Sequence, residues 1–223
     1  MGEDDDLFPE AALELLHVRE YVVRSYRVDE TTILVRGAVR DRKPPGLYIP
    51  TDVDPLTIHH MVVDLVVDMT TMTITQAKVV METHPHTQCP RIEDHYQHLV
   101  GLSIARGFTH RVRELFGGPR GCTHTTALLQ AMGPVAIQSR WSMSVGAANR
   151  TDDQPVRLSS ATESADWRSR FSLNLNTCHV WAEDAEMVQG LAAGGEIEPP
   201  IWILDRYREL GIDPQEWVRN RPR

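Results

Sequence analysis

The clearest pattern in the chain is the alternation over residues 59–68. Met61, Val63, Leu65 and Val67 fall on one side, and His60, Val62, Asp64, Val66 and Asp68 on the other. Successive side chains of a strand point to opposite faces, so this period of two predicts a strand with one apolar face. Thr70 and Thr71 lie near the turn, and residues 72–82 run back with Ala77, Val79 and Met81 facing inward. Ile74 is out of phase with those three, which predicts a bulge or a twist. A sheet with one apolar face must bury it against another layer. The fold expected is therefore α+β, an antiparallel meander packed by helices.

The rest of the chain supplies a second hairpin and the helices. Residues 17–27 are rich in β-branched and aromatic side chains, Asp29-Glu30 makes a turn, and residues 31–40 return with Ile33, Val35, Gly37 and Val39 on one face. Residues 41–55 hold four prolines and a glycine and read as a loop. After Cys89-Pro90, the residues Ile92, Tyr96, Leu99 and Leu102 recur at helical spacing, with Cys89 expected at the N-cap because proline favours a first turn. A short helix over 108–115 ends at Gly117. The helix after Cys122 should bury Leu128, Leu129, Met132 and Val135. Residues 149–164 read as a long loop, 173–181 as a further strand, 183–193 as a helix and 201–207 as another. A last turn is expected around Trp217, and one or two helical turns over 9–16. The expected organisation is an acidic segment over 1–16, a core domain over 17–140, and an extension over 141–223 packed on that core.

Composition narrows the partners. The chain has 223 residues, is 41% hydrophobic, and carries a net charge of -8. That charge argues against nucleic acid and anionic membranes, because phosphate recognition is built on lysine and arginine. No apolar run approaches a membrane span, and the start Met1-Gly2-Glu3-Asp4-Asp5-Asp6 is acidic where a signal peptide is basic and then apolar. A cytoplasmic location is expected, with a small-molecule substrate as partner. The three cysteines, an odd number, then suit ligand, nucleophile or packing roles better than a disulfide framework.

Two of those cysteines stand at predicted helix starts. Cys122 and His124 follow the turn Gly117-Gly118-Pro119-Arg120-Gly121, and Cys89 precedes Pro90. The first N–H groups of a helix are unpaired and carry the positive end of its dipole, which favours a thiolate. Thiolate and neutral imidazole are ligands for zinc and also suit iron. The candidate metal set is His60, Cys89, Cys122 and His124, with His124 and Asp64 as candidate catalytic groups. His59 is the alternative ligand to His60; it lies on the apolar side of its strand, where a core histidine is the competing reading. His60, on the mixed face, is the better candidate, and Asp64 shares that face. His84 and His86 read as a rigid loop or as auxiliaries. Cys178 reads as packing, and Cys122 itself reads equally well as a small buried residue.

Residues 59–132 resemble the layout of the NifU/IscU-type iron–sulfur scaffold proteins. The likeness rests on Val63-Asp64-Leu65-Val66-Val67-Asp68, then Ile74-Thr75-Gln76-Ala77-Lys78, Cys89 at one helix start and Gly121-Cys122-Thr123 at another. That resemblance implies a NifU/IscU-like core and an iron or cluster carrier. The family's remaining cysteine falls near residues 57–60, where this chain offers histidine instead. The chain also resembles an uncharacterised bacterial family with a Cys-Pro helix start and a Gly-Cys-Thr-His motif, here Cys89-Pro90 and residues 121–124.

Three functions follow from this reading. The first is a zinc- or iron-dependent lyase or hydrolase acting on a small organic molecule in bacterial catabolism. The second is an iron or iron–sulfur carrier. The third is a metal-free domain with a reactive cysteine.

Overall fold

In a computed structural model, residues 11–148, 167–195, 197–198 and 200–214 are described. The expected loop over 149–164 and the turn at Trp217 lie outside them. Four antiparallel strands form one sheet in the order β1-β2-β3-β4: β1 is Val18–Arg27, β2 Thr32–Lys43, β3 Leu56–Asp68 and β4 Thr73–Thr83. The two hairpins read from alternation are both present, and together they make the meander. The α+β expectation holds.

One face of the sheet is the core. Ile33, Val35, Val39, Met61, Val63, Leu65, Val67, Ala77, Val79 and Met81 are all buried. Ile74 joins them because the β3–β4 register slips between Val66 and Val67, so that Val67 pairs with Ile74 and Val66 with Gln76. The extra residue restores the phase that the alternation lacked. At the β3–β4 turn, Met72 adopts a left-handed conformation (φ 57), and Asp68 Oδ1 accepts the Thr70 N–H at 2.7 Å.

The covering layer is helical. A 3-10 segment, Cys89–Leu99, is followed by α1 (Phe108–Phe116) and α2 (Thr123–Ala148). Tyr96, Leu99, Phe108, Val112, Phe116, Leu128, Leu129, Met132 and Ala136 face the sheet. Ala136 takes the place expected for Val135. The helix α2 lies across β1, β2 and β3. It approaches closely at Gly37, where an added Cβ would lie 2.8 Å from Met132 Sδ and 3.0 Å from Leu128 Cδ1. Glycine in β2 therefore sets the depth at which α2 sits.

The later elements depart from expectation in one place. Residues 173–181 form turns and a 3-10 segment, His179–Trp181, rather than a strand. Three further helices are α3 (Trp167–Arg170), α4 (Glu186–Ala192) and α5 (Ile201–Glu209). Residues 11–16 are irregular and exposed instead of helical. No helix among the described residues is long and apolar enough to cross a membrane.

Candidate metal centre

The site grows out of one row across the sheet. Arg19 on β1 pairs with Asp41 on β2, and Asp41 pairs with His59 on β3. All three belong to the face that carries Val39 and Met61, so the row lies directly beneath the helical layer. Just beyond Asp41 the register slips, and Arg42 pairs with Thr57. The start of α2 closes the row from above and brings His124 onto it.

Asp41 is the hub. Its side chain is 2% exposed, and Arg19 donates to both carboxylate oxygens, Nε to Oδ1 at 2.6 Å and Nη2 to Oδ2 at 2.7 Å. That two-point pairing, with further help from the charges of Arg19, His124 and His17, holds the Asp41 carboxyl well below the usual carboxylate range, against the opposing effect of burial. The same hydrogen bonds raise Arg19 above its ordinary value. His17 Nε2 stands 3.5 Å from Oδ1.

Two imidazoles converge on the other side of the carboxylate. His124 Nε2 is 3.1 Å from Asp41 Oδ2, and His59 Nδ1 is 3.2 Å from the same oxygen. The two rings stack, with centroids 4.0 Å apart and an interplanar angle of 28°. His59 Nδ1 is buried and not aligned with Oδ2 for a hydrogen bond, so it has no hydrogen-bond partner. Burial, first, and then the neighbouring His59 and Arg19 charges push His124 below the usual imidazole range, which favours its neutral form. Asp41, His59 and His124 each offer a donor atom within 4.8 Å of the others, and they are the grouping of this kind among the described residues. Ligand atoms around a zinc or iron ion with bonds of about 2.0–2.2 Å lie about 3.0–3.5 Å apart, so the two short separations suit a shared ion.

The placement of Cys122 depends on a buried tyrosine. Thr126 N–H bonds to the Cys122 carbonyl at 2.9 Å, the first helical bond of α2, so Cys122 precedes the helix as its N-cap. The Tyr96 hydroxyl accepts the Cys122 N–H at 2.8 Å. Burial of that phenol raises its pKa. Gly121 leaves room for the hydroxyl, since a Cβ there would lie 3.0 Å from it and 2.5 Å from the Phe116 carbonyl oxygen. Cys122 Sγ then stands 3.6 Å from His124 Nδ1.

Of the residues singled out from sequence, His124 and Cys122 sit at this centre. His60 does not, because the period of two sends it to the opposite face from His59. Asp64 follows His60 to that face, where it pairs with Arg36 at 2.7 and 2.6 Å. Cys89 packs partly buried against the core, outside the donor group, and the N-cap position of its 3-10 segment falls one residue earlier, at Gln88, whose side chain makes no capping bond. His84 Nδ1 bonds to the His86 carbonyl. Cys178 is exposed.

Asp41 is what sequence reasoning missed, and His59, the alternative to His60, is the one of that pair that joins the centre. Asp41 continues the odd-numbered phase of Ile33, Val35, Gly37 and Val39, and a carboxylate ending an apolar stripe was the available signal.

Residues 17–138 match a family described as "Protein of unknown function (DUF2889)". The chain belongs to that family. The matched span of this DUF2889 protein contains the whole centre, from His17 through His124. No curated protein and no solved structure matches the chain.

Proposed function

We propose that this DUF2889 protein is a mononuclear zinc- or iron-dependent enzyme acting on a small organic molecule, a hydrolase or lyase, with Asp41, His59 and His124 as the protein ligands. The observation that carries this reading is the convergence of two imidazole nitrogens, one lacking a hydrogen bond, on a single oxygen of a buried carboxylate. Burial without a partner is costly for a polar nitrogen, and an ion would satisfy it. Such an ion supplies Lewis acidity toward a carbonyl or a water.

The chain's own groups divide the remaining work. Arg19 fixes the orientation of Asp41 through two hydrogen bonds, as ligating carboxylates commonly require. Cys122 faces His124 Nδ1; accepting that N–H selects the tautomer whose Nε2 lone pair faces Asp41 Oδ2. His17, at the edge of the cluster and 34% exposed, is placed to exchange a proton with solvent.

Protein purified without chelator or affinity tag should contain about one zinc or iron per chain by elemental analysis. His59→Gln and His124→Gln should each lose most of it, while Cys89→Ser should keep it. Equal metal content across these variants would sink the proposal. A carrier role, which the NifU/IscU-type resemblance suggests, would require handover of the ion to an acceptor protein. A donor group of one carboxylate and two imidazoles favours a resident ion over a cluster.

One observation favours a second reading. Cys122 Sγ, His124 and Asp41 form a continuous chain, 3.6 Å and then 3.1 Å, at the start of a 26-residue helix. That arrangement also serves a metal-free enzyme with a thiol nucleophile. Under it, iodoacetamide should alkylate Cys122 in metal-free protein far faster than in His124→Gln, and added zinc should change nothing.

A further inference from the structure

The exposure of the groups around the centre is uneven. Asp41 is 2% exposed, His124 15% and His59 19%, whereas His17, just ahead of β1, and Arg19 on it reach 34% and 39%. β1 is an edge strand of the sheet, and α2 crosses it together with β2 and β3. The more exposed groups beside the centre are thus a guanidinium and an imidazole, both at the β1 edge. Tyr21, two residues further along the same face of β1, is exposed there too.

Charge gives that approach a preference. Arg19 and Asp41 cancel one another, and Asp41 is the one carboxylate in the donor group. A divalent ion would leave the centre with about two uncompensated positive charges in a partly desolvated place, where an anion is strongly attracted. Arg19 spends two of its five N–H donors, one on Nε and one on Nη2, on Asp41. The others lie away from that carboxylate, and the nearby Tyr21 hydroxyl shares them, adding to the raised Arg19 value. Three protein ligands leave coordination positions for a substrate to fill.

We propose that the substrate is a small organic acid, whose carboxylate bridges the ion and the outer N–H groups of Arg19, which makes Arg19 the residue that selects anionic over neutral substrates. This rests on the metal-centre reading.

The test uses the full chain loaded with cobalt(II), its metal content checked by elemental analysis. Lactate and its neutral amide, lactamide, are titrated while the visible cobalt absorption is followed, with calorimetry as a second readout. Lactate should perturb the cobalt band and bind about tenfold or more tighter than lactamide, the difference expected for a charge-assisted contact. Arg19→Met should reduce that preference to about threefold or less, and Arg19→Lys should retain part of it. Equal affinity for the two compounds in wild-type protein carrying one cobalt per chain would overturn the inference while leaving the metal centre standing. An unchanged preference in a cobalt-loaded Arg19→Met variant would do the same. A wild-type chain that takes up no cobalt would overturn the centre and this inference together. The wild-type comparison needs no variant, so a poorly folding Arg19→Met does not blunt it.

Discussion

His124 holds its proton less readily in the folded chain than an exposed histidine does, chiefly because it is buried. The sign of the consequence is fixed by linkage. Below about pH 6.5 the unfolded chain protonates this ring while the folded chain resists, so stability falls as pH falls through that window and is fully present above it. Asp41 adds a second loss at lower pH: its carboxyl is depressed by Arg19, so its contribution is intact above about pH 4 and disappears below. Urea midpoints of metal-free protein at pH 7.5 and 5.0 should therefore differ more in wild type than in His124→Gln. Parallel behaviour of the two proteins would contradict the buried placement of that ring. The same scale shows why the sequence yielded half of the centre. Cys122 and His124 were visible because Gly121 and the preceding turn announce a helix start. Asp41 was obscured by Pro44 and Pro45, which pull the eye toward a loop, although β2 runs to Lys43. From sequence His59 ranks below His60 because it lies on the apolar side of β3, yet that side is the one the centre occupies. A polar group on an apolar face is the informative case, because burying it needs a partner.

Between elements, the fit of α2 against the sheet and against the 3-10 segment decides where His124 and Cys122 stand. Gly37 lets the helix settle on β2. Gly37→Ala should lower stability by about 1–3 kcal/mol, since Met132 and Leu128 must give way. The comparison is Gly190→Ala in α4, where an added Cβ meets nothing, and where alanine should be neutral or stabilising by up to about 1 kcal/mol. Equal losses from the two, measured by urea denaturation, would mean that α2 does not rest where Gly37 places it. Strict alternation made the hairpins legible, since a one-residue error would invert every side chain. Residues 173–181 misled for the opposite reason. Leu173, Leu175 and Val180 imitate part of a strand, but Asn176 takes a left-handed turn (φ 59) and the Asn174 and Thr177 amides close local turns onto the Phe171 and Asn174 carbonyls. Short apolar runs do not decide between extended and turned backbone without a partner in space.

At the scale of the molecule, the fully buried residues of the main core fall within residues 33–143, and four of the described apolar residues after 167 are buried apart from it. Phe171, Leu175, Val188 and Leu191 are buried outside the main core, with Phe171 and Trp181 in ring contact at 5.4 Å. Arg106, just ahead of α1, ties this cluster down by donating to the Ser172 carbonyl at 2.8 Å and the Leu175 carbonyl at 3.4 Å. A region outside the main core and tied to α1's approach through an exposed arginine should open at lower free energy than the sheet. Arg106→Ala removes bonds from a charged donor to two carbonyls at an exposed position, a loss of about 1 kcal/mol felt locally. Hydrogen exchange at the amides of Phe171, Asn174 and Leu175 should accelerate several-fold in that variant, whereas β2 and β3 amides keep their protection. Metal content should not change, because Asp41, His59 and His124 all stand on the core that residues 33–143 build. Loss of metal together with faster exchange in β2 would show that the later region supports the centre, and the boundary of the functional unit would then have to move past α2.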